Sequence, residues 1–246
     1  MRRLKASIPV LALAAFVISG CSGSSPQPAS AAGDPASSSI PPLDARTQLA
    51  GLVATAKDRH FTAGYTFTQT GHPARTVTVT LAADGSWRVD VPGGALGGQA
   101  NLAVAGNRDG LYQCRLSGAS PTCVKATAGT LPAWADPQVH HPFVDWLDPL
   151  TDGQAAISVA AAPLLNGARG SCFSVEANTA SLAAPVEPGV YCYDVDGTLT
   201  GLKVGFGTLV LATPAAPAPP TAALPGPVTG GSPLPVGAAA TTTPTP

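Results

Sequence analysis

Thr76-Val77-Thr78-Val79-Thr80-Leu81-Ala82-Ala83-Asp84-Gly85-Ser86-Trp87-Arg88-Val89-Asp90-Val91 is the stretch on which the fold is decided. Val77, Val79 and Leu81 alternate with Thr76, Thr78 and Thr80; Trp87, Val89 and Val91 alternate with Ser86, Arg88 and Asp90. Alternation of period two puts one set of side chains on each face of a strand, and Asp-Gly between two such runs is a strong antiparallel hairpin signal. Just upstream, Phe61, Ala63, Tyr65 and Phe67 alternate with Thr62, Gly64, Thr66 and Thr68, which adds a third strand. Downstream, strands are predicted near 99–105, 111–116 and 122–125. After a break they resume at 155–160, 171–176, 189–195, 199–204 and 207–211, with Asp196-Gly197 as a second hairpin turn.

Two helices complete the pattern. Over 44–58, Asp44 can cap the start, and Leu49, Leu52, Val53 and Ala56 recur at spacings of three and four. Asp136-Pro137 opens a second helix, in pieces, through Leu150, with Phe143, Trp146, Leu147 and Leu150 on one face. Helix, six strands, helix, five strands predicts an α+β fold: a long antiparallel sheet with helices on one face. A β-sandwich would leave both apolar helix faces without a surface to cover.

The two ends of the chain differ from this middle. Arg2, Arg3 and Lys5 precede an apolar run from Ile8 to Ile18, followed by Ser19 and Gly20, which are the parts of an export signal. That run is too short for a permanent span, which needs roughly 20 residues. Ile18-Ser19-Gly20-Cys21 resembles the bacterial lipobox. The resemblance implies cleavage before Cys21, diacylglycerol on its thiol, palmitate-type acylation, and attachment to the outer face of the cell membrane; several acyl chains anchor firmly where one would not. The division expected is therefore a signal peptide at 1–20, a disordered Ser/Pro/Ala tether at 21–42, one domain at 43–212, and an extended, disordered Pro/Ala/Thr-rich tail at 213–246.

Removing Arg2, Arg3 and Lys5 from the 13 basic residues leaves 10 against 14 acidic ones, with no basic patch, so nucleic acid is not expected as a partner. Besides Cys21 there are four cysteines, an even number in an exported chain, and three pairings are open. Cys114 with Cys123 and Cys172 with Cys192 are favoured. The first pair flanks the turn-rich Ser117-Gly118-Ala119-Ser120-Pro121, and the second would join consecutive strands. Zinc is the rival, but no Cys/His cluster has the spacing.

Catalytic signatures are missing. His140 and His141 stand near Asp136, Asp145 and Asp148, and His141 and Asp145 could share a helix face. Pro142 adjoins them, adjacent histidines rarely point the same way, and HExxH is absent, so capping and surface solvation account for these residues and no metal site is assigned. There is no GxSxG elbow around Ser86 or Ser171. Pro92-Gly93-Gly94-Ala95-Leu96-Gly97-Gly98 lacks the Gly-Lys-Ser/Thr of a phosphate loop and reads as a mobile loop. Glu176 and Glu187 are not marked as an acid/base pair. The chain is read as a non-enzyme without a cofactor.

Beyond Cys21 the layout resembles the LolA/LprG/LppX-like superfamily of lipoproteins and lipoprotein carriers. The residues that carry the resemblance are 61–68, Asp84-Gly85-Ser86-Trp87-Arg88-Val89, Tyr191-Cys192-Tyr193-Asp194-Val195-Asp196-Gly197 and Phe206-Gly207-Thr208-Leu209. It implies a curved antiparallel half-barrel with helices packed on its concave face, and an apolar cavity that receives the acyl chains of a lipid or lipoprotein. Phe61, Tyr65, Phe67, Val77, Val79, Trp87, Val89, Phe143 and Trp146 would line it, although the same residues would equally make a solid core. The expected function is lipid binding or transfer at the membrane; the alternative is an envelope scaffold with a protein partner and no cavity. A hydrolase with a dispersed triad is the minor third reading.

Overall fold

The computed structural model describes residues 44–178 and 184–238. The expected signal peptide (1–20), the expected lipidation site Cys21 and the expected tether (21–42) lie outside the described residues.

Asp44 caps the first helix as its position suggests: its carboxylate accepts the Thr47 N–H at 3.1 Å and the Thr47 hydroxyl at 2.7 Å. Helix α1 then runs Ala45–Lys57 and buries Leu49, Val53 and Ala56. Among the described residues twelve strands follow in one sheet: β1 Phe61–Thr68, β2 Arg75–Leu81, β3 Trp87–Ala95, β4 Ala100–Asn107, β5 Gly110–Arg115, β6 Thr122–Lys125, β7 Ile157–Ala162, β8 Ser171–Ala177, β9 Gly189–Tyr193, β10 Leu199–Val204, β11 Gly207–Leu211 and β12 Ala216–Pro217. The second helical region breaks into a 3-10 turn His141–Phe143 and a short α2, Leu147–Thr151.

The strand order is β6-β5-β4-β3-β2-β1-β11-β10-β9-β8-β7, all antiparallel, with β12 also on β1. Two meanders are therefore joined where β1 pairs with β11, and the sheet is open, ending at β6 and β7. The Asp84-Gly85 and Asp196-Gly197 turns do connect β2 to β3 and β9 to β10, with Gly85 and Gly197 at φ near +80°, where a side chain would be strained. Gly197 has a second reason to be glycine: a Cβ there would lie 2.5 Å from the Ala56 nitrogen of α1.

One face of the sheet is buried. Phe61, Ala63, Tyr65 and Phe67 of β1, Val77 and Val79 of β2, Val89 and Val91 of β3, Phe173 and Val175 of β8, and Tyr191 and Tyr193 of β9 form one core with Leu49 and Val53 of α1 and with Phe143, Leu147 and Leu150. The Tyr65 hydroxyl donates to the Leu199 carbonyl at 2.9 Å within it. Arg46 ties α1 to the segment entering β7, donating to the carbonyls of Ile157, Asp152 and Ala155. No helix among the described residues is long and apolar enough to cross a membrane.

Both expected disulfides form, each between directly paired residues of neighbouring strands: Cys114–Cys123 on β5 and β6, Cys172–Cys192 on β8 and β9. Cys172 and Cys192 lie 20 residues apart. Loop closure of that length constrains the unfolded chain by about 3 kcal/mol. The double variant Cys172→Ala/Cys192→Ala is therefore expected to lose about 3 kcal/mol in equilibrium urea denaturation, with its fold retained.

Two expectations need correction. The stretch 92–98 is not a free loop: 92–95 complete β3, with a register shift against β4 between Val91 and Ala95, and 96–98 form a 3-10 turn. The tail is not free either, over 213–238. Ala83 and Asp84 donate to the carbonyls of Pro219 and Pro220, Cys123 to that of Pro227, and Leu96 and Gly97 to those of Pro235 and Val236. Thr229 and Val236 donate back to Cys123 and Trp134. The segment is held largely through its backbone groups, which every residue but proline offers in pairs and which composition does not reveal.

Candidate functional site

Trp87 is the first residue of β3, and its partner on β4 is Gly106. A Cβ on Gly106 would come within 2.5 Å of the Trp87 indole, so the glycine gives the ring its place against the sheet. The connection from β6 to β7 brings the rest. Asp136 accepts the Gln138 N–H at 2.7 Å, and Gln138 takes φ 62°, in the left-handed region. That reversal turns the chain so that His140 and His141 come back over Asp136. The His141 N–H donates to the Gln138 carbonyl at 3.1 Å, and the Trp146 N–H to the His141 carbonyl at 3.0 Å.

The outcome is a stack of four rings. Trp87 stacks on His140 (centroids 5.3 Å apart, planes at 11°), His140 lies tilted over His141 (4.2 Å, 34°), and His141 stacks on Trp146 (5.6 Å, 16°). Two carboxylates flank the imidazoles. His141 Nδ1 is 2.6 Å from Asp145 Oδ2, and His141 Nε2 is 2.9 Å from Asp136 Oδ2. His140 faces the same pair at longer range, Nδ1 3.7 Å from Asp136 Oδ1 and Nε2 3.5 Å from Asp145 Oδ2.

These histidines are not solvated surface residues. His140 is only 2% exposed, and its Nδ1 is buried without a hydrogen-bond partner. Adjacent histidines point the same way here because they sit at a 3-10 turn and are clamped between two indoles. Asp148, grouped with them in the sequence reading, instead pairs with Lys57 at 2.7 Å.

Their surroundings drive the two imidazoles to different protonation states. Burial and the neighbouring His141 charge, against the pull of the carboxylates, lower His140 to about 4, so it is neutral at physiological pH. Burial also works against protonation of His141, but hydrogen bonds to Asp136 and Asp145 outweigh it and raise the group to about 9. Asp136 and Asp145 are both lowered, burial opposing and their hydrogen bonds to His141 favouring ionisation. For a histidine raised from 6.5 to about 9, the stabilisation is whole below pH 6.5 and is lost as pH rises through 9. In chelator-treated protein, the stability difference between wild type and His141→Gln should therefore be largest near pH 6 and shrink towards pH 9.5, as read by urea denaturation at each pH.

The cluster forms one wall of an open cleft of about 640 Å³, whose apolar parts come from Trp87, Leu111, Leu131, Trp146 and Pro185. Of the nine residues expected to line a cavity, Trp87 and Trp146 line this cleft, Trp87 and Phe143 a smaller one beside α1, and Phe67 a third. Phe61, Tyr65, Val77, Val79 and Val89 pack within the core. Asp136, His140 and His141 are the grouping able to hold a metal ion among the described residues. The Asp136/His140 and His141/Asp145 spacings of four were visible in the sequence; Trp87, brought from β3, was not.

No protein-family model matches the chain, and no curated protein matches it. The functional reading accordingly rests on the cleft and on the lipobox-like N-terminus.

Proposed function

We propose that this chain is an exported lipoprotein, anchored through Cys21 at the outer face of the cell membrane, that binds an acyl-bearing amphiphile. In this reading the sheet curves into a half-barrel, as in the LolA/LprG/LppX-like superfamily, with α1 and the 126–156 segment on its concave face. The observation that carries the reading is the cleft: about 640 Å³, within the few-hundred to ~1,000 Å³ range of small-molecule sites, with indole walls continuous with the core and a polar cluster on one side. An acyl chain would lie against Trp87, Leu111 and Trp146, and the head group would meet Asp136 and Asp145. Burial of the chain supplies the affinity.

The alternative, an envelope scaffold, draws support from Trp134, which is 54% exposed and lies beside the docked tail at Pro233. Quenching by bromine-labelled lysophospholipid separates the two. Binding in the cleft quenches Trp87 and Trp146 fluorescence, and the quenching survives Trp134→Phe. Quenching that disappears in Trp134→Phe, or none at all, contradicts the proposal.

A further inference from the structure

We propose that Asp136, His140 and His141 bind a single divalent transition cation of the zinc class in the wall of the cleft. The proposal needs only these side chains and stands apart from the lipid-binding reading. One donor atom from each of the three lies within 4.8 Å of those of the other two. Zinc bonds of 2.0–2.2 Å to N and O put neighbouring donors about 3.4 Å apart in a tetrahedral site. The two histidines face different oxygens of the one carboxylate, His140 Nδ1 3.7 Å from Asp136 Oδ1 and His141 Nε2 2.9 Å from Asp136 Oδ2, so small side-chain adjustments bring one oxygen and both nitrogens to that spacing.

A second observation points to a ligand. His140 Nδ1 is the nitrogen turned towards Asp136; it is buried and has no hydrogen-bond partner. A buried imidazole nitrogen with no hydrogen-bond partner is open to a cation in the tautomer that carries its proton on Nε2. The opposite nitrogens are held from behind: Asp145 Oδ2 lies 2.6 Å from His141 Nδ1 and 3.5 Å from His140 Nε2. A carboxylate behind a ligating histidine fixes ring orientation and raises its basicity, the usual outer shell of a metal site. The Trp87 and Trp146 indoles fix the ring planes on both sides.

Two imidazoles and one carboxylate favour zinc, cobalt or nickel over magnesium or calcium, which take oxygen shells. On binding, the ion replaces the His141 Nε2 proton, which leaves to solvent, and the hydrogen bond it made to Asp136. Three protein ligands in a cleft wall leave a further coordination position open to solvent or to a bound head group.

The test uses full-length protein in detergent, stripped with EDTA and titrated with zinc by calorimetry and with cobalt by visible absorption. One equivalent should bind with Kd of about 1 µM or tighter, with d–d bands for cobalt. Asp136→Asn and His140→Gln should each weaken binding about 100-fold or more, and Asp145→Asn about 10- to 100-fold. His60→Gln and His72→Gln should change nothing. Folding of each variant is checked by metal-free melting. For any that does not fold, imidazole NMR of the wild type decides: zinc must move the His140 and His141 resonances and leave those of His60 and His72 in place. No binding at 100 µM metal, undiminished affinity in a folded Asp136→Asn, or shifts confined to His60 and His72 would overturn the proposal.

Discussion

Ending the chain at Ala212 should lower the melting temperature by about 10 °C. The reason is a buried amide. Gln113 on β5 is 3% exposed, and its Nε2 donates to the Ala135 carbonyl at 2.8 Å and to the Leu234 carbonyl at 3.0 Å. Its Oε1 accepts the Leu234 N–H at 2.6 Å. Truncation strips the amide of both Leu234 bonds, and a stranded buried polar group costs about 1–3 kcal/mol. It also uncovers the core beneath Leu234, a partly buried side chain whose burial is worth up to about 1.5 kcal/mol. Asp84, now lowered to about 2 by Ser86 and Thr221, would lose the Thr221 hydroxyl bond. A total near 4 kcal/mol at about 2–4 °C per kcal/mol gives the expected shift. Calorimetry of the truncated chain checks it; an unchanged melting temperature would mean that the 213–238 segment contributes nothing to the fold.

Trp146→Ala should be the most damaging single substitution in the cleft. Trp146 is buried, meets Tyr191 edge-on at 6.0 Å and Phe206 at 6.2 Å, and covers the outer face of His141 at 5.6 Å. Large aromatic-to-alanine changes in a core cost about 3–5 kcal/mol through lost transfer energy and the space left behind. Removing this ring also frees the last imidazole of the stack, so the His141 ring should gain mobility, visible as broadened imidazole resonances. Trp146→Phe, which keeps an aromatic plane there, should recover most of the loss. Equal losses for the two variants would contradict the stacking argument.

How far the sequence alone carried differs by element. The bounds of α1 were legible because Asp44 is a good N-cap and the apolar positions keep a helical spacing. β1, β2 and β3 were legible because alternation of period two leaves little freedom of register once one face is buried, and the β9–β10 hairpin because Asp196-Gly197 marks its turn. The disulfides followed from strand neighbours. The docked tail was not legible: it binds through N–H and C=O groups, and Pro, Ala and Thr are the composition of a free segment. The ring stack was legible only in part. Asp136, His140, His141 and Asp145 are close in sequence, but their convergence depends on the reversal at Gln138, and the fourth ring arrives from β3. Adjacent histidines ordinarily point apart; here, between two indole walls, their rings lie 4.2 Å apart with planes tilted by 34°.

Native mass spectrometry of the full-length protein, purified from its own host in a mild detergent and followed by lipid extraction, tests the central claim most directly. The expected result is a stoichiometric acyl-bearing ligand, non-covalently bound and additional to any lipid attached at Cys21, and lost from a Gly106→Val variant in which Trp87 is driven from its seat. A protein that carries no non-covalently bound lipid, and takes up no added amphiphile, would contradict cleft binding.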